Sequence, residues 1–337
     1  MTHPSTRRLN RRSLFRLSAG MLASATLLAS AACSGGDGDT AAAPATVDMA
    51  AELAKPAELT FWTWVDGIDD EVALFEKKYP NIKVNVVNAG QGPAQYTKLR
   101  TALKAGSGAP DVVQVEYQYI PTFTITKDLL DLAPYGANDL KPQFVDWTWS
   151  QVSQGDKVFA IPQDTGPMGM LYRRDLFEKY KIDVPKTWDE FAAAARKLHA
   201  ADPKVYLTNF LATDGGFVNG MAWQAGSRPF TVDGDKVTVN LNDAGMQKLT
   251  AYWEPLIKEG VVSTDPGFTD KFYQGLYNGK YASWLTAAWG PLFLQGTAKN
   301  TSGKWAAAPL PQWNAGENVA GNWGGSTSAV TAKTKYP

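Results

Sequence analysis

The sequence predicts an α/β fold. Three observations carry that expectation. Apolar runs of period two alternate with stretches of helical period from residue 59 onward. Glycines and a Pro-Asn pair fall between those stretches as stop signals. The chain has 337 residues, 44% hydrophobic and 20% charged, enough for two globular domains.

Leu59–Trp62 is a short apolar run and reads as the first strand. Asp69–Tyr79 carries Val72, Phe75 and Tyr79 at helical spacing and stops at Pro80-Asn81. Ile82–Val87 alternates with period two, a second strand. Ala94–Ala105 places Tyr96, Leu99 and Leu103 on one helical face and ends at Gly106. Asp111–Val115 is a third strand. This succession predicts a mostly parallel sheet covered by helices. The middle of the chain continues in kind. Lys157–Ile161 and Gly169–Tyr172 read as strands. Thr187-Trp188-Asp189-Glu190 is a capping box opening a helix to about His199, whose partial charge suits a helix C-terminus. Asp243 caps a helix to about Lys258, closed by Gly260, and Phe268–Tyr277 forms another, halted at Asn278-Gly279. Gly106, Gly260 and Gly279 are helix stops rather than ligand contacts. After the last apolar strand the chain ends at Lys333–Pro337 without a closing helix, so its C-terminal part reads as missing.

Lys+Arg and Asp+Glu both number 33. Neutrality argues against a nucleic-acid partner, which needs a clustered positive field. One Cys excludes a disulfide framework, and two His leave little room for metal or His-base chemistry. The surplus is aromatic: 12 Trp, 13 Tyr and 14 Phe.

The charge is uneven. Residues 1–32 hold five arginines and no acid; without them 28 basic residues face 33 acidic ones, a net of −5. A basic flank, the uncharged stretch Leu17–Ala32 and small residues before Cys33 form the layout of an export signal. Leu17–Ala32 is too short and too weakly apolar for a membrane span. Arg11-Arg12-Ser13-Leu14-Phe15-Arg16 resembles a twin-arginine export signal, with Leu14 and Phe15 in swapped order. Ser30-Ala31-Ala32-Cys33 resembles a bacterial lipobox with Ser30 in place of Leu, which implies acylation of Cys33. An ordinary signal peptide with a bystander Cys is the alternative. Residues 33–57 are small and polar and read as a flexible tether.

Open α/β sheets bind ligands beyond the carboxyl ends of their strands. Those positions hold Trp62, Trp64 and Asp66, then Gln91, then Glu116 and Tyr117, then Gln163 and Asp164. Aromatic faces with amide and carboxylate groups suit a polyhydroxylated ligand. Taken singly, each aromatic reads better as a core residue; taken as a set, binding and packing stand level.

Four segments, in this order and spacing, carry a resemblance. They are Leu59–Trp62 with Phe75–Val84; Gly108–Gln114; Ala160–Gly166 with Leu171–Phe177 and Pro185–Phe191; and Trp323–Ser326 after the Ala308–Pro311 turn. From Glu58 onward the chain resembles the sugar-binding extracellular solute-binding proteins of ABC transporters, the family of maltose-binding protein. The resemblance implies two α/β lobes (a type II periplasmic-binding-protein-like fold) with a ligand cleft between them and closure by hinge motion. Lobe one would hold residues 58–163 and 289–337, and lobe two residues 164–288. Pro162–Pro167 and the region around Thr286–Gly290 are the hinge candidates. It implies ligand contacts at Trp64, Asp66, Glu116 and Asp164 and a lobe-two stacking position at Trp223. Trp289, Trp323 and Gly324 match cleft positions late in the chain. Trp147, Trp149, Trp253 and Trp305 read as packing residues, and Trp188 as helix-start structure.

The resemblance further implies a mono- or oligosaccharide ligand, permease subunits as partners, a lipid anchor on the extracytoplasmic face, a monomeric chain, and no cofactor or metal. No G-x-S-x-G, H-E-x-x-H or P-loop pattern is present in the sequence. A secreted glycoside hydrolase using Glu116 and Asp164 is the second reading, since such enzymes need two carboxylates across the sugar bond. A binding protein for another small polar solute and a structural lipoprotein are further alternatives.

Overall fold

The computed structural model describes residues 48–233 and 236–337; the export signal, Cys33 and residues up to 47 of the expected tether lie outside them. Within that tether, Met49–Leu53 forms a short helix capped by Asp48, whose carboxylate accepts from Ala51 N at 3.1 Å. No helix among the described residues is long and apolar enough to cross a membrane.

Lobe one starts at β1 (Ala57–Trp62), followed by α1 (Ile68–Lys78), β2 (Ile82–Val87), α2 (Pro93–Ala105) and β3 (Val112–Glu116). Acids Asp69, Asp70 and Glu71 fill the first turn of α1, and Lys77 and Lys78 its last, each matching the helix dipole. β2 and β3 pair in parallel with β1 on its two sides. The run Lys157–Ile161, expected as one strand, is broken at Phe159-Ala160. Lys157–Val158 forms a small ribbon with Ser153–Gln154, and only Ile161–Pro162 (β4) joins the main sheet. Pro162 lies on an edge strand, where its missing N–H costs no ladder bond.

The chain then crosses to lobe two. Its sheet is built from β5 (Met168–Arg173), β6 (Ser283–Ala287) and β7 (Trp305–Pro309), in the order β6-β5-β7. All three pair antiparallel, so the parallel pattern expected from the first half does not continue here. Parallel bridges Tyr206↔Tyr281 and Asn209↔Ser263 extend the β6 side. Helices α3 (Trp188–Ala201), α4 (Gly215–Gln224), α5 (Ala244–Lys258), α6 (Asp270–Asn278) and α7 (Gly290–Thr297) surround it. The Thr187–Glu190 capping box is present, with Thr187 Oγ1 accepting from Glu190 N at 3.2 Å. Helix α6 starts two residues later than expected, because Phe268 sits at φ +57° and Thr269 is the cap. The strand that follows α6 is Ser283–Ala287, and the expected Ala308–Pro311 turn begins inside β7.

The last strand, β8 (Ser326–Val330), returns to lobe one and pairs antiparallel with β3 and β4, giving the order β2-β1-β3-β8-β4. This corrects the expected lobe boundary at 289. β7 is hydrogen-bonded to β5, and Gln312 exchanges backbone bonds with Lys186 and Trp188, so the chain stays in lobe two until about Asn322. Thr286–Gly290 is likewise not a crossing; Ala288 N donates to Pro167 O and abuts it.

Each lobe has its own core. In lobe one Tyr96, Leu99, Val113, Val115, Phe123, Trp149 and Ala329 pack together. In lobe two Trp188, Phe191, Phe217, Trp253, Phe272 and Trp284 do so. Burying a large apolar side chain contributes roughly 1.5–3 kcal/mol. The crossing segments run side by side: Met168 N donates to Gly321 O (2.9 Å) and Trp323 N to Gly166 O (2.7 Å). A Cβ on Gly166 would lie 1.9 Å from Trp323 O, so only glycine permits this approach.

Candidate ligand-binding site

The lobe-one half is built on strand ends. Beyond β1, Trp64 N donates to Gln114 Oε1 at 3.1 Å, and its half-buried ring meets Tyr96 edge-on at 6.4 Å. Asp66 is exposed two residues later, just before Gly67 opens α1. Gln91 is exposed in the loop entering α2. The structure links neither Asp66 nor Gln91 by a side-chain hydrogen bond to the other candidates among the described residues.

Glu116 ends β3. Its Oε2 accepts from the Tyr96 hydroxyl at 3.0 Å, and its backbone N donates to the oxygen of that Tyr96 hydroxyl at 2.9 Å. A Cβ on Gly92 would lie 3.8 Å from Glu116 Oε2, so the loop before α2 passes close to this carboxylate. Burial pushes the Glu116 carboxyl above its ordinary pKa. Hydrogen bonds from Tyr96 and Gln118 oppose that, and the charges of Asp214 and Asp164 add to it. The adjacent Tyr117 is 4% exposed and donates to Asp164 O at 3.2 Å. Burial and the nearby Asp164 push its hydroxyl up to about 12. Tyr117 therefore props the crossing from below rather than facing solvent.

Asp164 and Gln163 lie on the outgoing crossing and are exposed. Asp164 Oδ1 accepts from Ser326 N (2.5 Å) and Ser326 Oγ (2.7 Å). Gln163 accepts from Ser328 Oγ at 3.3 Å.

In lobe two, α4 supplies two groups. Asp214 caps its N-terminus, with Oδ1 accepting from Phe217 N at 2.9 Å. Its charge reaches Glu116 in the other lobe, and sequence reasoning missed it. The available signal was Asp214-Gly215-Gly216 directly ahead of a helical run, an N-cap pattern. Near the other end of α4, Trp223 is 38% exposed, and no aromatic ring of the described residues packs on it.

Trp289, Trp323 and Gly324 come together at the crossing. Trp323 is 5% exposed and packs with Phe217, Phe268 and Trp289, the last at 4.8 Å. The half-buried Trp289 donates its indole N–H to Trp323 O at 2.9 Å. Gly324 has φ +77°, and a Cβ there would lie 3.4 Å from that indole nitrogen. These three residues form the junction of the lobes, and their indoles are packed rather than open. Of the tryptophans expected to pack, Trp149, Trp188 and Trp253 are buried, whereas Trp147 is 44% exposed beside Tyr117. Its short helix, Asp146–Val152, turns Trp149 inward and leaves Trp147 outside.

The arrangement is two α/β bodies joined by paired crossings, with the charges of Glu116, Asp164 and Asp214 acting on one another and an exposed indole on the helix that Asp214 caps. Residues 62–337 match the bacterial extracellular solute-binding proteins, and the chain belongs to that family. It is similar to the arabinooligosaccharide-binding protein of Bacillus subtilis (strain 168), 29% identical over 293 residues, covering 83% of this chain and 66% of that one. The lactose-binding protein of Rhizobium radiobacter is 26% identical over 314 residues, covering 86% and 69%. The chain thus spans about two thirds of the length of the curated relatives it matches. A solved ABC transporter associated binding protein from B. animalis subsp. lactis Bl-04, in complex with beta-1,6-galactobiose, superposes with a TM-score of 0.75. It is 36% identical, covering 83% of this chain and 69% of that one.

Proposed function

We propose that this chain captures a mono- or oligosaccharide outside the cytoplasm and delivers it to the permease of an ABC transporter. The carrying observation is the set of carboxylates whose charges meet, Glu116 of lobe one, Asp164 of the crossing and Asp214 of lobe two, with Trp223 exposed on the helix that Asp214 caps. Carboxylate oxygens accept from sugar hydroxyls, and an indole face covers the C–H face of a ring. A ligand touching both lobes stabilises the closed arrangement by its differential affinity for it. The names of the relatives, arabino-oligosaccharide, lactose and galactobiose binders, support a carbohydrate over other polar solutes. Export through the N-terminal signal, acylation at Cys33, anchoring to the membrane and a monomeric state belong to the same proposal.

A thermal-shift screen against arabino-oligosaccharides, lactose and β-1,6-galactobiose tests it. Ligand at one hundred times its Kd stabilises the folded form by about 2.7 kcal/mol, so a cognate sugar raises Tm. No shift with any sugar across a broad panel would remove the carbohydrate reading. A glycoside hydrolase would use Glu116, with its raised pKa, as an acid. Release of reducing sugar by the wild type, abolished in Glu116→Gln, would replace binding by catalysis.

A further inference from the structure

One buried side chain links the loop after β1 to the crossing. Gln114, on β3, is 1% exposed. Its Oε1 accepts from Thr63 Oγ1 (2.7 Å) and from Trp64 N (3.1 Å), both just beyond β1. Its Nε2 donates to Ser326 Oγ (2.8 Å) at the start of β8. Ser326 Oγ donates in turn to Asp164 Oδ1 (2.7 Å), and Val65 N donates to Thr63 Oγ1 (3.3 Å) at the other end. The amide cannot be flipped, because Trp64 N–H is a donor only and needs an oxygen. Every donor therefore points the same way, from the Trp64 loop to the Asp164 carboxylate. Such a chain polarises itself, and each member is costly to leave unpaired because Thr63, Gln114 and Ser326 are all buried.

We propose that Gln114 is a positioning residue that couples the loop carrying Trp64 and Asp66 to the crossing carrying Asp164. A ligand held on the loop is thereby felt at the junction about which the lobes move. The purpose of this coupling rests on the ligand-binding reading; its existence does not.

The test is hydrogen exchange on the ligand-free full chain, read as the protection factors of the Trp64 and Ser326 amides. Gln114→Met fills the space without the hydrogen bonds and lowers protection about tenfold or more at every pH. Gln114→Glu is the rescue variant. As a protonated acid it can accept from Thr63 and donate to Ser326, so protection is at the wild-type level at low pH. Once ionised it still accepts from Trp64 N but cannot donate to Ser326, so protection of the Ser326 amide, which donates to Asp164 Oδ1, falls about tenfold or more with a step in pH that the wild type lacks. Ser326→Ala, a smaller change, lowers Trp64 protection from the far side of the chain. Packing alone would produce neither the pH step nor the effect of Ser326→Ala. An unchanged Trp64 amide in Ser326→Ala, or a pH-independent Gln114→Glu, overturns the proposal, and these two variants decide it even where Gln114→Met does not fold. Calorimetric titration of the wild type with lactose and β-1,6-galactobiose runs alongside. Failure of both to bind counts against the carbohydrate reading and leaves the exchange result standing.

Discussion

The two lobes use their aromatic residues in opposite ways. Lobe two folds them inward: Trp188, Trp253 and Trp284 are fully buried, and Trp289 and Trp323 are packed at the junction. Among its described tryptophans Trp223, on α4, is the exposed one, and Phe230 and Tyr277 are exposed as well. Lobe one has a smaller aromatic core and keeps Trp64 half-buried beside the polar strand ends, with Glu116 and Asp164 next in line. The abundance of tryptophan is therefore mostly a property of one core. The groups we propose for a ligand are the carboxylates of both lobes and the exposed indole of Trp223; lobe one has its own exposed indole in Trp147.

The contrast is broken most forcefully at Trp188. Its ring meets Phe191, Tyr252, Trp253 and Trp313, and its Nε1 donates to the buried Gln224. Trp188→Ala is expected to cost about 3–5 kcal/mol in denaturant unfolding, as large cavities in tight cores do. Trp223→Ala should do the reverse. Unfolding stability changes by about 0.5 kcal/mol or less, as for most surface sites, while sugar affinity measured by calorimetry falls by more than about 1 kcal/mol. Equal stability losses in the two variants would erase the distinction between a packed and an open indole.

Glu116→Gln sharpens the lobe-one side. Because the Glu116 carboxyl titrates above its ordinary value in the folded chain, the folded state holds its proton longer than the unfolded state. Below the ordinary carboxylate range both states are protonated and Glu116 carries no penalty. As pH rises through its elevated pKa, ionising it in the folded chain costs stability. Glu116→Gln is then expected to melt higher than the wild type at neutral pH and level with it in acid, while binding sugar more weakly. A wild-type profile parallel to that of the variant would contradict the burial and charge crowding assigned to this residue.

Much of this was legible from local patterns. Thr187 and Glu190 announced a helix start, Asp243 another, and Ile82–Val87 alternates as observed. These signals need only neighbours in the chain. What escaped reading depends on partners far away. Trp305-Ala306-Ala307-Ala308 has little strand character of its own and becomes β7 because β5 offers it a ladder. That pairing moved the return to lobe one from residue 289 to the Asn322–Ser326 stretch. Asp214 drew no reading from the sequence, and only the approach of the lobes gives it a neighbour in Glu116. Tyr117 is buried and Trp147 exposed for a related reason: burial is decided by the element that covers a residue, not by its type.

The most direct measurement is small-angle scattering of the mature chain before and after saturation with a sugar that raises its Tm. If the ligand sits between the lobes and is held by groups from both, the radius of gyration decreases on binding, and Trp223→Ala requires more sugar to reach the same compact form. A radius unchanged by a sugar that calorimetry shows to be bound would contradict closure around it.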